Sequence, residues 1–565
     1  MATSSSPSTI RCPVRRARPR PSPQPSPRPN PPIDRHRSPR TRPGPIPRFG
    51  REAAVREILI IGAGPAGLAA ARAARARGAS VTLLDAADDV GGQYWRHLPA
   101  SLSAGREDLL HHGWATFTAL RSDLDDDPGC RIVRGAQVWA IERGETTGRP
   151  DAARPDAARP DAGNRDTGRP DAEPAEHDDR GGHVVHALAG PVDGTDRERI
   201  TLTPDALVLA TGAHDRTLPF PGWDLPGVFT PGAAQALAKG ERVTVGERVA
   251  VAGAGPFLLP VAASLVQTGT TVVGVFEASR ARTLAAGWLS RPWRLARAGK
   301  KGAELAGYAA GQLRHRIPYR TGTAVIRAHG TDAVTAVTVA KLDRDWRPIP
   351  GTERRIPVDA VCAGHGFTPR LELAVAAGCV LTGDSFVAVD DAQRTSEPGV
   401  YAAGEITGIG GVELAMAEGS IAGHHAAGGD TGTSPVRAAR VARGVHRDIA
   451  RRIEAAHGIR PGWSSWLDDD TVICRCEEVR HGPLRDTAAA TASTSLRSLK
   501  LSTRAGLGIC QGRMCGRTVD ALLRQHAPHA HRNDNATFDH RPLAFPLRLA
   551  ELADHPKDND RKESA

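Results

Sequence analysis

Across its 565 residues the sequence holds no uninterrupted apolar run fit to cross a membrane. The longest candidate, the 18 residues Val249–Val266, is broken by Gly253, Gly255, Pro256 and Pro260. The first 50 residues hold 11 arginines but a single acid, Asp34, and no apolar core, and their prolines exclude an amphipathic helix; a secretory segment is not expected. Net charge is scarce elsewhere, where acids balance the basic residues. Of the net +11, this stretch supplies +10, so no specific nucleic-acid partner is expected and residues 1-52 read as a disordered, solvated tail. Cysteine is sparse, 8 in all, which argues against a disulfide framework. From Gly148 to Gly182 no side chain is apolar and larger than alanine except proline, and Arg-Pro-Asp-Ala recurs at 149, 154, 159 and 169. Nothing there offsets the roughly 1 to 2 kcal/mol per residue needed to order a backbone, so 148-182 reads as a disordered insertion.

The stretch that organises the rest is Ile58 to Asp85. An apolar run, Ile58-Leu59-Ile60-Ile61, turns through Gly62-Ala63-Gly64-Pro65-Ala66-Gly67 into an alanine-rich helix. Gly78 stops that helix, and Val81 to Leu84 form a second buried strand ending in Asp85. In such a unit Gly62 makes the tight turn, Gly64 lets backbone approach a pyrophosphate and Gly67 lets helix and strand pack closely. The helix N-terminus, with Pro65 and Ala66, holds phosphates through bare amides, and Asp85 accepts hydrogen bonds from a ribose.

Gly91-Gly92-Gln93 suits backbone lying close to a flat ligand, with Gly92 and Gln93 as candidate contacts. Val133 to Ile141 and His183 to Leu188 read as two strands of a small antiparallel element. Ala206 to Ala213 is a buried strand ending in a turn that offers Thr211 and Gly212. A second strand-turn-helix-strand-acid unit follows, with Gly253 and Gly255 in its turn and Glu277 as its terminal acid. Leu258 stands where a third glycine belongs, which weakens ligand approach and leaves occupancy of this half open. Residues 280 to 315 read as helical, and Val400 to Glu405 is a last buried strand delivering Gly404 and Glu405 at its C-terminal end, where α/β sheets place their ligands.

Two such halves, the first resumed after the second is inserted, resemble the two-dinucleotide flavoproteins of the glutathione and thioredoxin reductase superfamily. That resemblance implies an α/β, two-dinucleotide-binding-domain flavoprotein in which the first unit holds the ADP of FAD and Glu405 bonds the ribityl chain. The second half would take NAD(P) or another nucleotide if any, and Glu277 favours NADH over NADPH. A disulfide reductase needs a redox cysteine pair, and Gly91 to His97 contains none. No general base stands out. His97, His214 and His365 lie near motif glycines and read first as loop or packing residues.

Cys474-Arg475-Cys476 is followed by Cys510 and Cys515, a C-x-C and a C-x4-C pair. The spacing favours a two-iron, two-sulfide centre with one pair on each iron; zinc and unmetallated thiols stay open as alternatives. The segments Leu218 to Val228, Cys474 to Val479 and Gly508 to Gly516 resemble the flavoprotein (alpha) subunits of bacterial multi-subunit amino-acid dehydrogenases, the opine oxidase, hydrogen cyanide synthase and hydroxyproline dehydrogenase type. These end in a domain related to bacterioferritin-associated ferredoxin, whose cysteines bind a [2Fe-2S] cluster. The resemblance implies FAD, a [2Fe-2S] cluster on Cys474, Cys476, Cys510 and Cys515, and two partners, a D-amino-acid-oxidase-like beta subunit with a small ferredoxin-like one. It also implies a cytoplasmic location, with membrane contact only through the electron acceptor. The expected organisation is a tail over 1-52, an FAD-binding domain over 53-215 and 356-430, and a second nucleotide domain over 216-355. A linker helix over 431-467, an iron–sulfur domain with its own core over 468-530 and a C-terminal tail over 531-565 complete it.

Overall fold

A computed structural model describes residues 55–99, 101–102, 105–143, 182–294, 299–526 and 543–553. The basic tail, nearly all of the 148-182 insertion and parts of 531-565 lie outside the described residues.

The first half is a five-stranded parallel sheet in the order Val400–Ala402, Ala206–Leu209, Glu57–Ile61, Ser80–Leu84, Cys130–Val133. Three of its strands, Glu57–Ile61, Ala206–Leu209 and Val400–Ala402, are buried almost throughout because both faces are covered. Ile58 and Ile60 point to one core with Leu68 and Ala70 of the helix Pro65–Arg75, while Leu59 and Ile61 point to another with Val138 and Val185. Each such fully buried Leu or Ile contributes roughly 1.5 to 3 kcal/mol. The helix Val412–Ala426 crosses Pro65–Arg75 in backbone contact, since a Cβ at Gly419 or Gly423 would run into the carbonyl oxygens of Ala66 or Ala70. The antiparallel element covering the other face has three strands, Ala136–Arg143, His183–Ala189 and Glu198–Leu202. Val133 belongs instead to the edge of the parallel sheet, and Gly135, with φ +64°, makes the turn between the two.

The second half repeats the plan in the order Tyr319–Thr321, Thr271–Glu277, Arg248–Ala254, Ala360–His365, Val228–Phe229. The apolar run Val249–Val266 therefore splits between a strand and the helix Leu258–Gln267, and among the described residues no helix is long and apolar enough to cross a membrane. The strand Ala360–His365, expected in the resumed first half from 356, pairs with Arg248–Ala254 at the centre of the second sheet. The chain crosses back only afterwards, where Phe367–Pro369 pairs antiparallel with Ala213–Asp215. In the stretch expected to be helical over 280 to 315, the described residues form the α-helices Ala281–Trp288 and Gly299–Arg314.

The linker contains a 24-residue helix, Ser434–His457, that grips both halves. Arg443 donates to Gln393 at 3.0 Å and Arg447 to Glu418 at 2.8 Å on the first half. Arg452 donates to the backbone oxygens of Trp288, Ser290 and Arg291 on the second. The C-terminal module has a short hairpin, Val472–Cys474 with Val479–Arg480, and the helices His481–Ala490, Leu496–Thr503 and Gly516–His526. It does not have a separate core. Leu484, Leu499, Val519 and Leu522 merge through Trp463 and Trp466 with Leu342 and Trp346 of the second half. Two indoles seal the seam, Trp223 donating to the Val472 oxygen at 2.6 Å and Trp466 to that of Trp346 at 2.8 Å.

Candidate functional site

A cleft of about 1970 Å³ runs between the halves and reaches the C-terminal module. Its first wall is the glycine turn. Gly62 has φ +105°, and a Cβ there would meet the Ala210 carbonyl, while one at Gly67 would run into the Gly62 oxygen. Gly64 caps the helix Pro65–Arg75 with no side-chain bond and no acid in the first turn, so the amides there face the cleft uncompensated, the setting an anion seeks. Gly92, with φ +59°, lies against Gly64, its added Cβ 2.9 Å from the Gly64 Cα. Pro65, Ala66, Gln93, Thr211 and Gly212 line the same wall. Thr211 also donates to the Arg370 oxygen at 2.8 Å.

Asp85 fastens the turn, accepting from the amides of Ala63 at 2.5 Å and Ala87 at 2.8 Å. Burial pushes its pKa up, opposed by those two bonds and by Arg370 and Arg96 nearby. Arg96 lines the cleft with a buried Nε that has no hydrogen-bond partner among the described residues. An uncapped helix start, an orphaned guanidinium nitrogen and glycines that admit backbone-close contact fit the diphosphate of FAD. Arg96 and Arg370 were invisible in the sequence because neither belongs to the turn motif. Gly404, with φ +81°, donates to Glu418 at 3.1 Å. Glu405 keeps some exposure to the cleft, yet desolvation lifts its pKa to about 7 against bonds from the Gly411 and Gly410 amides, the first at 2.8 Å.

The second turn departs from the first at its acid. Gly253 is shut against the Gly364 carbonyl, and Leu258 is buried in the sheet-helix core rather than facing a ligand. Glu277 accepts from Gly255 at 3.0 Å and Ser279 at 2.9 Å, much as Asp85 does in its own turn. It is also 0 % exposed, bonded by the Tyr319 hydroxyl and by His457 Nδ1 at 3.1 Å. The Trp288 indole donates to His457 Nε2 at 3.1 Å, so the imidazole carries its proton on Nδ1 and gives it to Glu277. His457 and Gly255 line the cleft, and Glu277 does not. The acid expected to read a ribose is thus turned inward.

The four C-terminal thiols meet in two pairs made across the motifs, Cys474 with Cys515 and Cys476 with Cys510. The Cys515 thiol and the amides of Gly506, Glu477 and Cys476 hold Cys474 down to about 6, a thiolate already prepared for metal. Gly508 is obligatory, since a Cβ there would collide with that of Cys476. Among the described residues no three His, Cys, Asp or Glu side chains converge on one point tightly enough for a single ion. Two thiol pairs are the donor set that a two-iron cluster uses. Cys362 and Cys379 are buried apart from them.

Arg513, which sequence reasoning passed over, and His214, which it read first as a loop or packing residue, tie this module to the cleft. Arg513, between Cys510 and Cys515, bonds Glu372 and the Ala544 oxygen, and lies 4.7 Å over the Phe545 ring. His214 meets the Arg513 carbonyl at 3.2 Å through Nε2, and burial holds its pKa low. His365 is a packing residue, its Nδ1 accepting from Leu218 and its pKa pushed down to about 3 by burial. His97 is held by the Trp95 oxygen at 2.8 Å.

Comparison with known proteins defines the class. The family described as pyridine nucleotide-disulphide oxidoreductase matches residues 56–427, and the BFD-like [2Fe-2S] binding domain matches residues 472–525, which hold all four thiols. The chain belongs to the pyridine nucleotide-disulphide oxidoreductase family and carries a C-terminal BFD-like domain; FAD and a [2Fe-2S] cluster are its cofactors. It is 30% identical over 517 residues to a subunit of the opine oxidase of Rhizobium meliloti, covering 88% of each chain. It is 32% identical over 378 residues to the HcnB subunit of hydrogen cyanide synthase from Pseudomonas aeruginosa, covering 62% of this chain and 78% of that one. The fold also matches L-proline dehydrogenase from P. horikoshii, with TM-score 0.55 and 18% identity over 88% of this chain and 79% of that one.

Proposed function

We propose that this chain is the electron-transferring flavoprotein subunit of a complex that oxidises the C–N bond of an amino or imino acid. FAD supplies two-electron and the cluster one-electron chemistry; the chain binds both, orients them and screens them from water. The observation that carries the reading is Arg513, which fastens the Cys510–Cys515 loop to Glu372 and Phe545, two residues of the cleft wall. Gly62, Gly64, Pro65, Ala66, Gly67, Asp85, Gly92, Gln93, Thr211, Gly212, Gly404 and Glu405 are the FAD contacts in this reading, joined by Arg96 and Arg370. Cys474, Cys476, Cys510 and Cys515 are the cluster ligands. A D-amino-acid-oxidase-like beta subunit provides the substrate pocket, a small ferredoxin-like subunit completes the complex, and a respiratory acceptor drains it from the cytoplasmic side.

The competing reading, a self-sufficient NADH-dependent reductase, requires the ribose acid that His457 and Tyr319 have taken. Anaerobic addition of NADH to the purified, FAD-loaded chain should therefore leave its visible flavin absorption unbleached over minutes. Co-expression with an amino-acid-oxidase-like partner should confer reduction by an amino or imino acid. Prompt bleaching by NADH alone would transfer the assignment to the reductase.

A further inference from the structure

Of the four clustered thiols, Cys474 and Cys515 are buried and Cys476 is exposed, so the site is reached from outside on the Cys476 side. Apolar side chains crowd that lip. Gly508 packs on Cys476, since a Cβ there would lie 2.2 Å from the Cys476 Cβ and 3.2 Å from Glu477 Oε1, and its neighbours Leu507 and Ile509 are 39 % and 83 % exposed. Leu501, 79 % exposed, stands on the outer side of the helix Leu496–Thr503, whose Leu496 and Leu499 turn inward. Arg504 caps that helix and meets Glu477 at 2.7 Å, which fixes the helix end beside the Cys476 loop. A single exposed leucine needs no explanation, but three large apolar side chains within nine residues at the mouth of a redox site form a patch.

Charge narrows the choice of occupant. From Ser495 to Arg517 the sequence holds five basic residues and no acid, and residues 472–525 hold nine basic residues against four acids. Arg497 and Lys500 stand four residues before Leu501 and Arg504, so they border the patch along the helix. Arg475, exposed in the Cys476 loop, lies 5.2 Å over the Trp223 ring. Glu477 is neutralised by Arg504, which leaves Glu478 as the other acid of that loop. An apolar centre inside a charged rim is the anatomy of a protein interface, and a small one suits the brief encounters of electron carriers. We propose that Leu501, Leu507 and Ile509, rimmed by Arg475, Arg497 and Lys500, are the docking face for an acidic one-electron carrier protein. The carrier's oxidised centre gains one electron that the reduced iron–sulfur centre gives up, and no bond is made or broken. This rests on the electron-transfer reading and names the surface through which the chain passes its electrons on.

Stopped-flow mixing of the dithionite-reduced, FAD- and cluster-loaded chain with ferric cytochrome b5, an acidic haem protein, and with ferric cytochrome c, a basic one, tests the face. Ile509→Ser, Ile509→Glu and Lys500→Glu are compared with Val441→Glu, which adds the same charge as Ile509→Glu at an exposed position of the linker helix. Transfer to cytochrome b5 should slow as salt is raised and transfer to cytochrome c should not, because only opposite charges lose attraction on screening. At low salt the rate to cytochrome b5 should fall at least fivefold in I509S, tenfold in I509E and threefold in K500E, and stay within about twofold in V441E, with iron, sulfide and FAD contents unchanged. Wild-type speed in I509E, an equal loss in V441E, or a rate to cytochrome b5 that rises with salt would overturn the proposal. Dimerisation of the wild type that I509E abolishes, with transfer to cytochrome b5 unaltered, would give the face to a second copy of the chain and equally sink it. A preparation without iron and sulfide would remove the electron-transfer reading and this face together; a loaded chain that fails the mixing test loses only the face.

Discussion

Replacing Cys515 by serine should strip iron and sulfide from the protein and leave close to one FAD per chain. The side chain is 3 % exposed and bonded to Cys474, so the substitution removes one member of an interior thiol pair and leaves three donors for a centre that requires four. Cys476→Ser should do the same from the solvent-facing side, where the thiol is exposed. The flavin turn rests on cores built from Ile58, Leu68 and their neighbours, none of which touches the module's core, so flavin content should hold. Thermal stability should nevertheless fall in a way that two independent domains would not show. The module shares its apolar interior with Leu342 and Trp346, and losing the metal couples unfolding of the C-terminus to the second half. Metal and sulfide analysis, the visible spectrum and a melting curve read all three outcomes; flavin loss with an intact cluster would refute the ligand set.

Gly67→Ala should abolish FAD binding together with the native fold of the first half, whereas Gly64→Ala should abolish only the binding. At Gly67 the new methyl would strike the Gly62 carbonyl, lying 2.9 Å from its carbon, and that carbonyl is backbone of the turn itself, which cannot swing aside as a side chain can. Overpacking of this kind costs about 1 to 3 kcal/mol or more. At Gly64 the nearest atom is the Gly92 Cα at 3.9 Å, so a methyl fits the turn and obstructs only what approaches it. Equal melting temperatures for the two variants, each compared with flavin-free wild type, would show that the two glycines do not divide the work in this way.

What could be read from the sequence was whatever lies close along the chain. Strand, glycine turn, helix and acid sit within Ile58 to Asp85, and the two cysteine pairs are local spacings, so period and spacing exposed them. What could not be read were meetings between distant segments. Ala360–His365 is recognisable as a strand, but nothing local says which sheet it enters, and its pairing with Arg248–Ala254 decides that. Glu277 carries every local mark of a ribose acid and is withdrawn by a histidine 180 residues away. Arg96 and Arg513 occupy a loop and a turn and His214 a three-residue strand, and only what they meet across the fold makes them matter. Gly419 and Gly423 are spaced as one helix face, but the helix they pack against, Pro65–Arg75, lies near the opposite end of the sequence.

The helix Ser434–His457 has one more implication. A two-lobed enzyme normally admits and releases its ligands by swinging one lobe about a hinge. Here such a swing would have to tear Arg447 from Glu418 at one end and Arg452 from its ring of carbonyls at the other, all at once. The crossed strands Ala213–Asp215 and Phe367–Pro369, where a hinge would lie, are therefore splinted, and traffic through the interior must go by way of loops at the mouth of the molecule.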